Sequence, residues 1–272
     1  MLSGIFKSED TEMKFMHATL ISAVLISSFS YQARTQSIDV KEKESGSELH
    51  LTADDILRLS DQNRNGWENY TVRTTIQNFE DNELTEEGIF DVSMKGLDKT
   101  LVKFCNASVK GQYLLMRDDD MWIYMPNTRK PIRITPLQRL MGNASNGDVA
   151  RTRYAQDYSA TFKQNDMING TPCYVLELNA KRDGATYKKI DYWITKDSYR
   201  PQIAEMYLVS GKHYKTIHFD RYEEIQGRVL VAQETIIDRL RDGRTTIMKY
   251  AGYSPKEIPE KYFNKDYLEK LR

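Results

Sequence analysis

Residue types that could support catalysis are scattered in this 272-residue sequence. Two of its four histidines, His213 and His218, are five residues apart, which puts them on opposite faces of a straight strand. The sequence has no glycine-rich phosphate loop, G-x-S-x-G elbow or HExxH motif. The run Asp118-Asp119-Asp120 could attract a divalent cation, but carboxylates between two apolar strands are more typical of a solvated turn. We therefore predict no enzyme, no cofactor and no metal site.

A basic segment offers binding chemistry instead. Arg129, Lys130 and Arg133 follow an aromatic strand that starts at Met121. The segment fits an exposed hairpin, or it could contact an anionic headgroup or an acidic partner. Lys+Arg and Asp+Glu each number 39, giving a formal net charge of zero. No excess of positive charge therefore indicates a nucleic-acid partner.

The N-terminal region has the pattern of an exported protein. An apolar run of residues 15–29 follows Met13-Lys14 and ends in small residues at Ser28-Phe29-Ser30, which predicts a signal peptide over residues 1–30. Acidic residues near the start make Met13 an alternative first residue. The run is short for a membrane-spanning helix of roughly 20 residues, although an uncleaved anchor is the alternative. The polar residues 31–50 predict a flexible leader.

The sequence contains two cysteines, Cys105 and Cys173. Neither lies at the end of the apolar run, so we expect a processed protein without a cysteine-linked lipid anchor. In an oxidising compartment the two could form one disulfide. The alternative is a pair of buried free thiols that act as small core residues.

After the leader, Thr52 predicts the N-cap of a short helix that Asn65-Gly66 ends. From Tyr70 onward the pattern changes to short alternating segments joined by turn pairs such as Asn169-Gly170 and Gln226-Gly227. This predicts a mainly β protein with a sequential antiparallel sheet, in the form of a barrel, a sandwich or a strongly curved open sheet. The predicted strands are Thr71–Glu80, Gly88–Lys95, Thr100–Asn106, Tyr113–Arg117, Met121–Met125, Pro131–Thr135, Ser159–Ile168, Cys173–Ala180, Lys188–Thr195, Gln202–Val209, Tyr214–Tyr222, Val229–Leu240 and Thr245–Tyr250.

One segment interrupts the strands. Residues 136–142 combine an N-terminal proline, an apolar stripe of Leu137, Leu140 and Met141, and a terminal glycine, which predicts a helix of about two turns. The small polar residues 143–147 come next. The helix could be a hinged flap over a cavity or a static plug of the core. Near the C-terminus, a second short helix starting at Asn264 could cover an open edge.

Several blocks in order resemble the LolA-like outer-membrane lipoprotein-sorting proteins. They are Asp120–Pro126, Arg129–Ile134, the 137–141 stripe with Asp148–Ala150, Gly170–Leu178 and Tyr192–Pro201. The resemblance covers residues 51–271 and implies a single domain, 51–272: an incomplete barrel with short covering helices and an apolar cavity. It implies a monomeric periplasmic carrier that binds lipid or lipoprotein acyl chains, with an inner-membrane exporter and an outer-membrane acceptor as possible partners. The alternative is a periplasmic adaptor of a membrane exporter without its own cargo.

An acyl chain in such a cavity gains about 0.8 kcal/mol per CH₂ removed from water, so a chain of about 16 carbons gains up to roughly 12 kcal/mol. A shuttle needs weaker binding, and opening a closed flap would offset part of this gain. We predict a cargo site with two parts. The wall would be Phe90, Met94, Leu115, Trp122, Tyr124, Trp193 and Tyr207, and the flap Leu137, Leu140 and Met141.

Overall fold

A computed structural model describes residues 51–128 and 130–271. The predicted signal peptide, the predicted leader and Arg129 lie outside the described residues. Within them, 15 strands and three α-helices form. The strands are β1 Tyr70–Glu80, β2 Glu83–Lys95, β3 Lys99–Phe104, β4 Tyr113–Arg117, β5 Asp120–Tyr124, β6 Ile132–Ile134, β7 Arg139–Met141, β8 Ala144–Ser145, β9 Tyr158–Ile168, β10 Thr171–Ala180, β11 Lys189–Thr195, β12 Pro201–Tyr207, β13 His213–Ile225, β14 Arg228–Asp238 and β15 Arg244–Pro255.

Thirteen of these strands form one curved antiparallel sheet that does not close. Its order is β6-β5-β4-β3-β2-β1-β15-β14-β13-β12-β11-β10-β9. Two meanders, β1–β6 and β9–β15, therefore lie side by side, joined where β1 pairs with β15. This confirms the mainly β fold and the curved open sheet predicted from the sequence. Each of the thirteen predicted segments contributes a strand to this sheet.

Turn residues with positive φ angles explain why the hairpins are tight. Asn169 and Gly170 have φ angles of 48° and 80°, and Gln226 and Gly227 have 52° and 73°. Two successive positive φ angles match the right-handed twist of the strands that such turns join. These turn residues therefore determine the register of β9 with β10 and of β13 with β14.

The first helix, α1 (Ala53–Arg64), forms as predicted. Thr52 accepts a hydrogen bond from the Asp55 backbone N–H at 3.1 Å, and Asp55 accepts one from the Thr52 backbone N–H at 2.9 Å. This capping box satisfies two amides that the helix start would leave unpaired. Asn65 is the C-cap. Ile56 and Leu57 are buried in the main core.

We define the inner face of the sheet as the face that packs against the helices. Phe90, Val102 and Leu114 point to it from adjacent strands and belong to the same core as α1. Side chains alternate between the two faces of a strand, so their chain neighbours point to the outer face. Part of the outer face has a smaller core of its own, formed by Leu101, Tyr113, Leu115, Tyr124, Ile258, Phe263 and Leu268.

Besides α1, a second segment covers the inner face: residues 139–157, which we call the plug. It contains β7, β8, α2 (Asn146–Ala150) and α3 (Tyr154–Asp157). The Asn143 backbone N–H donates to Thr246 of β15 at 2.8 Å, and the Ala150 carbonyl accepts from Thr100 of β3 at 2.9 Å. All residues from 144 to 151 are buried. The plug is thus bonded to both meanders.

The predicted helix over residues 136–142 is wrong. Residues 139–141 form β7, which pairs with β8, and Leu140 and Met141 pack half-buried against the main core. The turn before β7 is held by long-range bonds, since the Gly147 N–H donates to the Pro136 carbonyl at 2.9 Å. A stripe of three apolar residues over seven positions cannot reveal such contacts.

The C-terminal segment forms two 3₁₀-helices, Glu260–Phe263 and Lys265–Leu271, in place of the predicted helix from Asn264. A third short 3₁₀-helix, Ala107–Val109, follows β3. Phe263 and Leu268 pack in the smaller core on the outer face of β3, β4 and β5. The segment therefore covers a sheet face, and the prediction that it covers an open edge is wrong.

Gly147 tests how tightly the plug fits. A Cβ atom at this position would overlap the Thr186 hydroxyl and lie 2.7 Å from its methyl carbon. We expect Gly147→Ala to lower the free energy of unfolding by about 1–3 kcal/mol, because overpacking outweighs alanine's better helix propensity. Denaturant unfolding measures this.

The control is a double-mutant cycle with Thr186→Ala, which removes the Thr186 hydroxyl and methyl groups and leaves its Cβ 2.8 Å from the added carbon. In that background Gly147→Ala should cost less, giving a coupling energy of about 0.5–3 kcal/mol. An unchanged cost in the two backgrounds would show that Thr186 does not restrict Gly147.

Candidate functional site

Charged residues bridge the open side of the sheet. Asp119, in the β4–β5 turn, pairs with Arg182, in the β10–β11 loop, at 2.8 Å. Arg151 of the plug pairs with Asp157 at 2.6 Å and donates to the Asp118 carbonyl at 2.8 Å. The Arg151 and Asp157 side chains are almost fully buried, so this pair is shielded from water. We call the region joined by these bonds the seam.

A second buried ion pair holds the plug beside the seam. The Lys215 ammonium lies 2.8 Å from the Asp148 carboxylate, and each side chain is only 2% exposed. It also donates to the Asn143 carbonyl at 2.6 Å, while the Tyr187 hydroxyl donates to Asp148 at 2.7 Å. A buried charge is tolerated when its hydrogen-bonding capacity is satisfied in this way.

A groove of about 490 Å³ lies between the 133–137 segment, the 183–188 loop and the end of β12. Its apolar wall includes Ile134, Pro136, Leu137, Leu208 and Val209. Leu137 and Val209 are 40% and 84% exposed. Exposed aliphatic side chains that line a concave surface mark a binding site for an apolar ligand.

Charged residues also line this groove. Arg133 and Lys188 are exposed on it, together with Asp119 and Asp183. Arg133 of β6 forms an ion pair with Asp120 on the neighbouring strand, β5. The groove therefore combines an apolar wall with charged groups that can hydrogen-bond a polar headgroup.

The groove joins predictions that the sequence made separately. It brings together Leu137 of the predicted flap, Tyr207 of the predicted wall and Arg133 of the predicted headgroup contact. The sequence did not point to Leu208, Val209 or the 183–188 loop. One signal in the sequence could have pointed to Val209. It is an apolar residue directly before the Ser210-Gly211 turn, where polar residues are usual.

Five of the seven predicted wall residues lie on the outer face. Leu115, Trp122 and Tyr124 pack in or against the smaller core. Trp193 and Tyr207 alternate with Tyr192 and Met206 of the main core, so they too point outward. For the first three, the reason is that the C-terminal segment packs on β4 and β5 and makes their outer face apolar. Trp193 and Tyr207 instead hydrogen-bond to carboxylates on the outer face, to Asp166 and to Glu205.

Phe90 and Met94 do lie on the inner face, but among the described residues the spaces beside them are too small for an acyl chain. Both are buried, and Phe90 packs edge-on against Phe104 with ring centroids 5.0 Å apart. The two small spaces that Met94 lines measure about 10 and 20 Å³, about the size of one water molecule. In this conformation the predicted hollow is occupied by the plug.

Both cysteines are free thiols in the structure, so the possible disulfide is not formed. Burial raises the pKa of each thiol. Cys105 follows β3 and Cys173 lies in β10, in different meanders. Lys130 is exposed before β6, at the end of β5 away from the β4–β5 turn, and Arg129 is outside the described residues. Among residues 51–128 and 130–271, no group of three or more His, Cys, Asp or Glu side chains could hold a metal ion.

The main core contains a buried carboxylate, Glu234, that is not fully hydrogen-bonded. Glu234 of β14 is buried, and its Oε1 atom has no hydrogen-bond partner. Burial raises its pKa to about 7, although the charge of Arg64 and a hydrogen bond with Tyr250 oppose the shift. Arg64 itself stacks 4.1 Å above the centroid of the Tyr154 ring and donates to the Thr152 carbonyl at 3.0 Å. The interior is thus partly polar.

Comparison with solved structures places this open, plugged sheet in a known class. A LolA superfamily protein of Nitrosomonas europaea is 32% identical, with a TM-score of 0.76 over 80% of this chain and 99% of that one. A DUF1329 family protein of Desulfovibrio piger is 22% identical with a TM-score of 0.69, covering 79% and 97%. An outer membrane lipoprotein-sorting protein domain of Vibrio parahaemolyticus is 20% identical with a TM-score of 0.67, covering 80% and 98%.

The chain belongs to the LolA superfamily. A family model described as an uncharacterized protein matches residues 96–270. No curated protein matches the chain. Of the helices in the described ranges, none is both long enough and apolar enough to cross a membrane.

Glu234 makes stability depend on pH. Between pH 4.5 and pH 7 the folded carboxyl stays protonated while the unfolded one ionises, so the folded state binds more protons and stability falls as pH rises. The full loss approaches about 3 kcal/mol above pH 7. The free energy of unfolding should therefore decrease more between pH 5 and pH 8 for the native protein than for Glu234→Gln. Equal decreases would contradict the raised pKa.

Proposed function

We propose that the protein is a periplasmic carrier that binds one acyl chain of a lipid or a lipid-modified protein in the groove at the seam. The observation that carries the proposal is the apolar groove of about 490 Å³, which adjoins charged side chains and lies on a LolA-type sheet. Its volume falls within the roughly 300–1,000 Å³ of typical ligand sites. The protein's role is binding and release, without a catalytic step.

The open shape of the groove suits reversible binding. A chain lying along it would bury one side, so about eight methylenes of a 16-carbon chain would leave water, at about 0.8 kcal/mol each. The gain of roughly 6 kcal/mol holds a ligand but permits transfer to an acceptor. A carrier that uses this groove would not have to open its plugged core for each transfer.

The headgroup would lie where the charged residues are. Among the described residues, Lys188 has no ion-pair partner, and Arg133 is paired only with half-buried Asp120. An anionic headgroup or an acidic peptide near the lipidated residue could accept hydrogen bonds from both cations. Asp119 and Asp183 would disfavour a second negative charge on their side of the groove.

The test is acyl-chain binding by variants of the groove. Leu137→Asp and Val209→Asp place a charge in the apolar wall, and each should weaken binding of a fluorescent 16-carbon fatty acid by about tenfold or more, since a buried unpaired charge is strongly disfavoured. Leu84→Asp is the matched control, because Leu84 is an exposed leucine outside the groove.

The binding measurement is made by fluorescence titration, with thermal unfolding as a check on folding. Unchanged affinity in both groove variants, with the Leu84 control also unchanged, would contradict the proposed site. Native mass spectrometry of the gently purified protein then addresses the carrier role. Absence of bound lipid together with a stable complex with an inner-membrane exporter would favour the adaptor function instead.

A further inference from the structure

We propose that two copies of the protein associate through their β9 strands, in an antiparallel pairing centred on Asn165. β9 is the last strand of the sheet and pairs only with β10. The other edge of β9 therefore presents backbone groups that no strand within residues 51–128 and 130–271 satisfies. The inference does not depend on the proposed carrier function.

A bulge in β9 gives its edge an unusual arrangement. Phe162 pairs with Leu176 and Gln164 pairs with Val175, so Lys163 is the extra residue. The bulge shifts the alternation by one position. Phe162 and Met167, five residues apart, therefore both lie on the inner side, since they flank Leu176 and Pro172. Their exposed fractions are 53% and 61%.

Charged residues on the same strand lie on the outer side. Lys163 reaches Asp191 of β11, with the ammonium 2.7 Å from the carboxylate. Asp166 accepts a hydrogen bond from the Trp193 indole N–H at 2.8 Å. Both contacts lie over the outer face of the sheet, where Asp191 and Trp193 point. The edge thus has an apolar inner side and an outer side with one cation and one anion.

Two hydrogen bonds show which backbone amides face away from β10. The Ala160 N–H donates to Asp54 of α1 at 2.8 Å, and the Met167 N–H donates to the Asp166 side chain at 2.7 Å. Alternation along the strand gives Asn165, two residues before Met167, the same outward direction. Phe162 shares the direction of Ala160 for the same reason.

These directions define one symmetric register. With Asn165 opposite Asn165 of the second copy, Phe162 lies opposite Met167, and Lys163 lies beside Asp166. Opposed side chains then share a face: Phe162 faces Met167 on the inner side, and Gln164 and Lys163 of one copy face Asp166 of the other on the outer side. The two bulges lie on either side of the central Asn165 pair. Such cross-strand pairs each contribute about 0.2–1 kcal/mol.

Neighbouring registers fit less well. Centring the pairing on Phe162 would bring in Ala160, whose N–H is already bonded to α1. Centring it on Met167 would run beyond Ile168, the last residue of β9. A shift by one residue would turn Phe162 towards the outer face of the second copy.

The pairing should be weak and depend on concentration. About six residues from each copy take part, and an interface this small is typical of transient association. A lysine on an edge strand often blocks pairing, but Asp191 holds Lys163 over its own sheet. The Met167 N–H must exchange the Asp166 carboxylate for a carbonyl of the second copy. The sequence predicted a monomer, whereas this pairing would give a weak dimer at high concentration.

A disulfide trap tests the register. In a Cys105→Ser, Cys173→Ala background, Asn165→Cys should form a covalent dimer under mild oxidation, because opposite residues of a hydrogen-bonded pair lie about 5.5 Å apart at Cα. Thr161→Cys is the control: it is exposed on the same strand, but its copies would be far apart. Dimer formation at the same rate in both variants, or in neither, would overturn the proposal.

A charge exchange tests the opposed pair. Phe162→Lys should weaken the dimer by about tenfold, as two symmetry-related contacts are lost together. Adding Met167→Glu should restore it, because the introduced ammonium of one copy then faces the introduced carboxylate of the other. Sedimentation measures the dimer and circular dichroism checks folding. A native protein that stays monomeric at millimolar concentration, or a double variant without recovery, would refute the pairing.

Discussion

The structure depends on the pairing of buried charges on the plug, both within the plug and with Lys215 of β13. Lys215, Asp148, Arg151 and Asp157 are buried, and an unpaired buried charge would cost several kcal/mol. Each is matched by a partner on another element or within the plug, and the carbonyls and hydroxyls nearby satisfy the remaining donors. These pairs hold the plug in contact with both meanders. With the plug in this position, the groove at the seam is an accessible apolar surface.

The seam follows from the strand order. A sheet whose ends, β6 and β9, do not pair must cover its open side in another way. Here the 183–188 loop approaches the β4–β5 turn so closely that a Cβ on Gly184 would lie 2.9 Å from the Asp119 Cα. The ion pair between Asp119 and Arg182 then joins the meanders. The groove lies beside this ion pair, and its wall includes Asp119 together with the apolar residues Ile134 and Leu137.

Most of the sheet could be predicted from the sequence, because alternation and turn residues are local signals. Asn169-Gly170 and Gln226-Gly227 define hairpins by their own conformations, and the Thr52 cap defines α1. The plug could not be predicted, since residues 143–147 are small and polar, and they are held in the fold by bonds to residues distant in the sequence, such as Thr246 and Lys215. The face of Leu115 was also beyond the sequence pattern, because the C-terminal segment makes both sides of β4 contact protein. Of the residues that the sequence proposed for binding, Leu137, Tyr207 and Arg133 line one groove in the fold, and their binding role stays a prediction.

The most direct measurement of the central claim is photocrosslinking with a 16-carbon fatty acid that carries a diazirine near its end, followed by mass spectrometry of the modified peptides. The account predicts crosslinks in the 133–137 segment and at Leu208 and Val209. Crosslinks concentrated on inner-face residues such as Phe90 and Met94 would contradict it, because they would require the plug to leave the sheet.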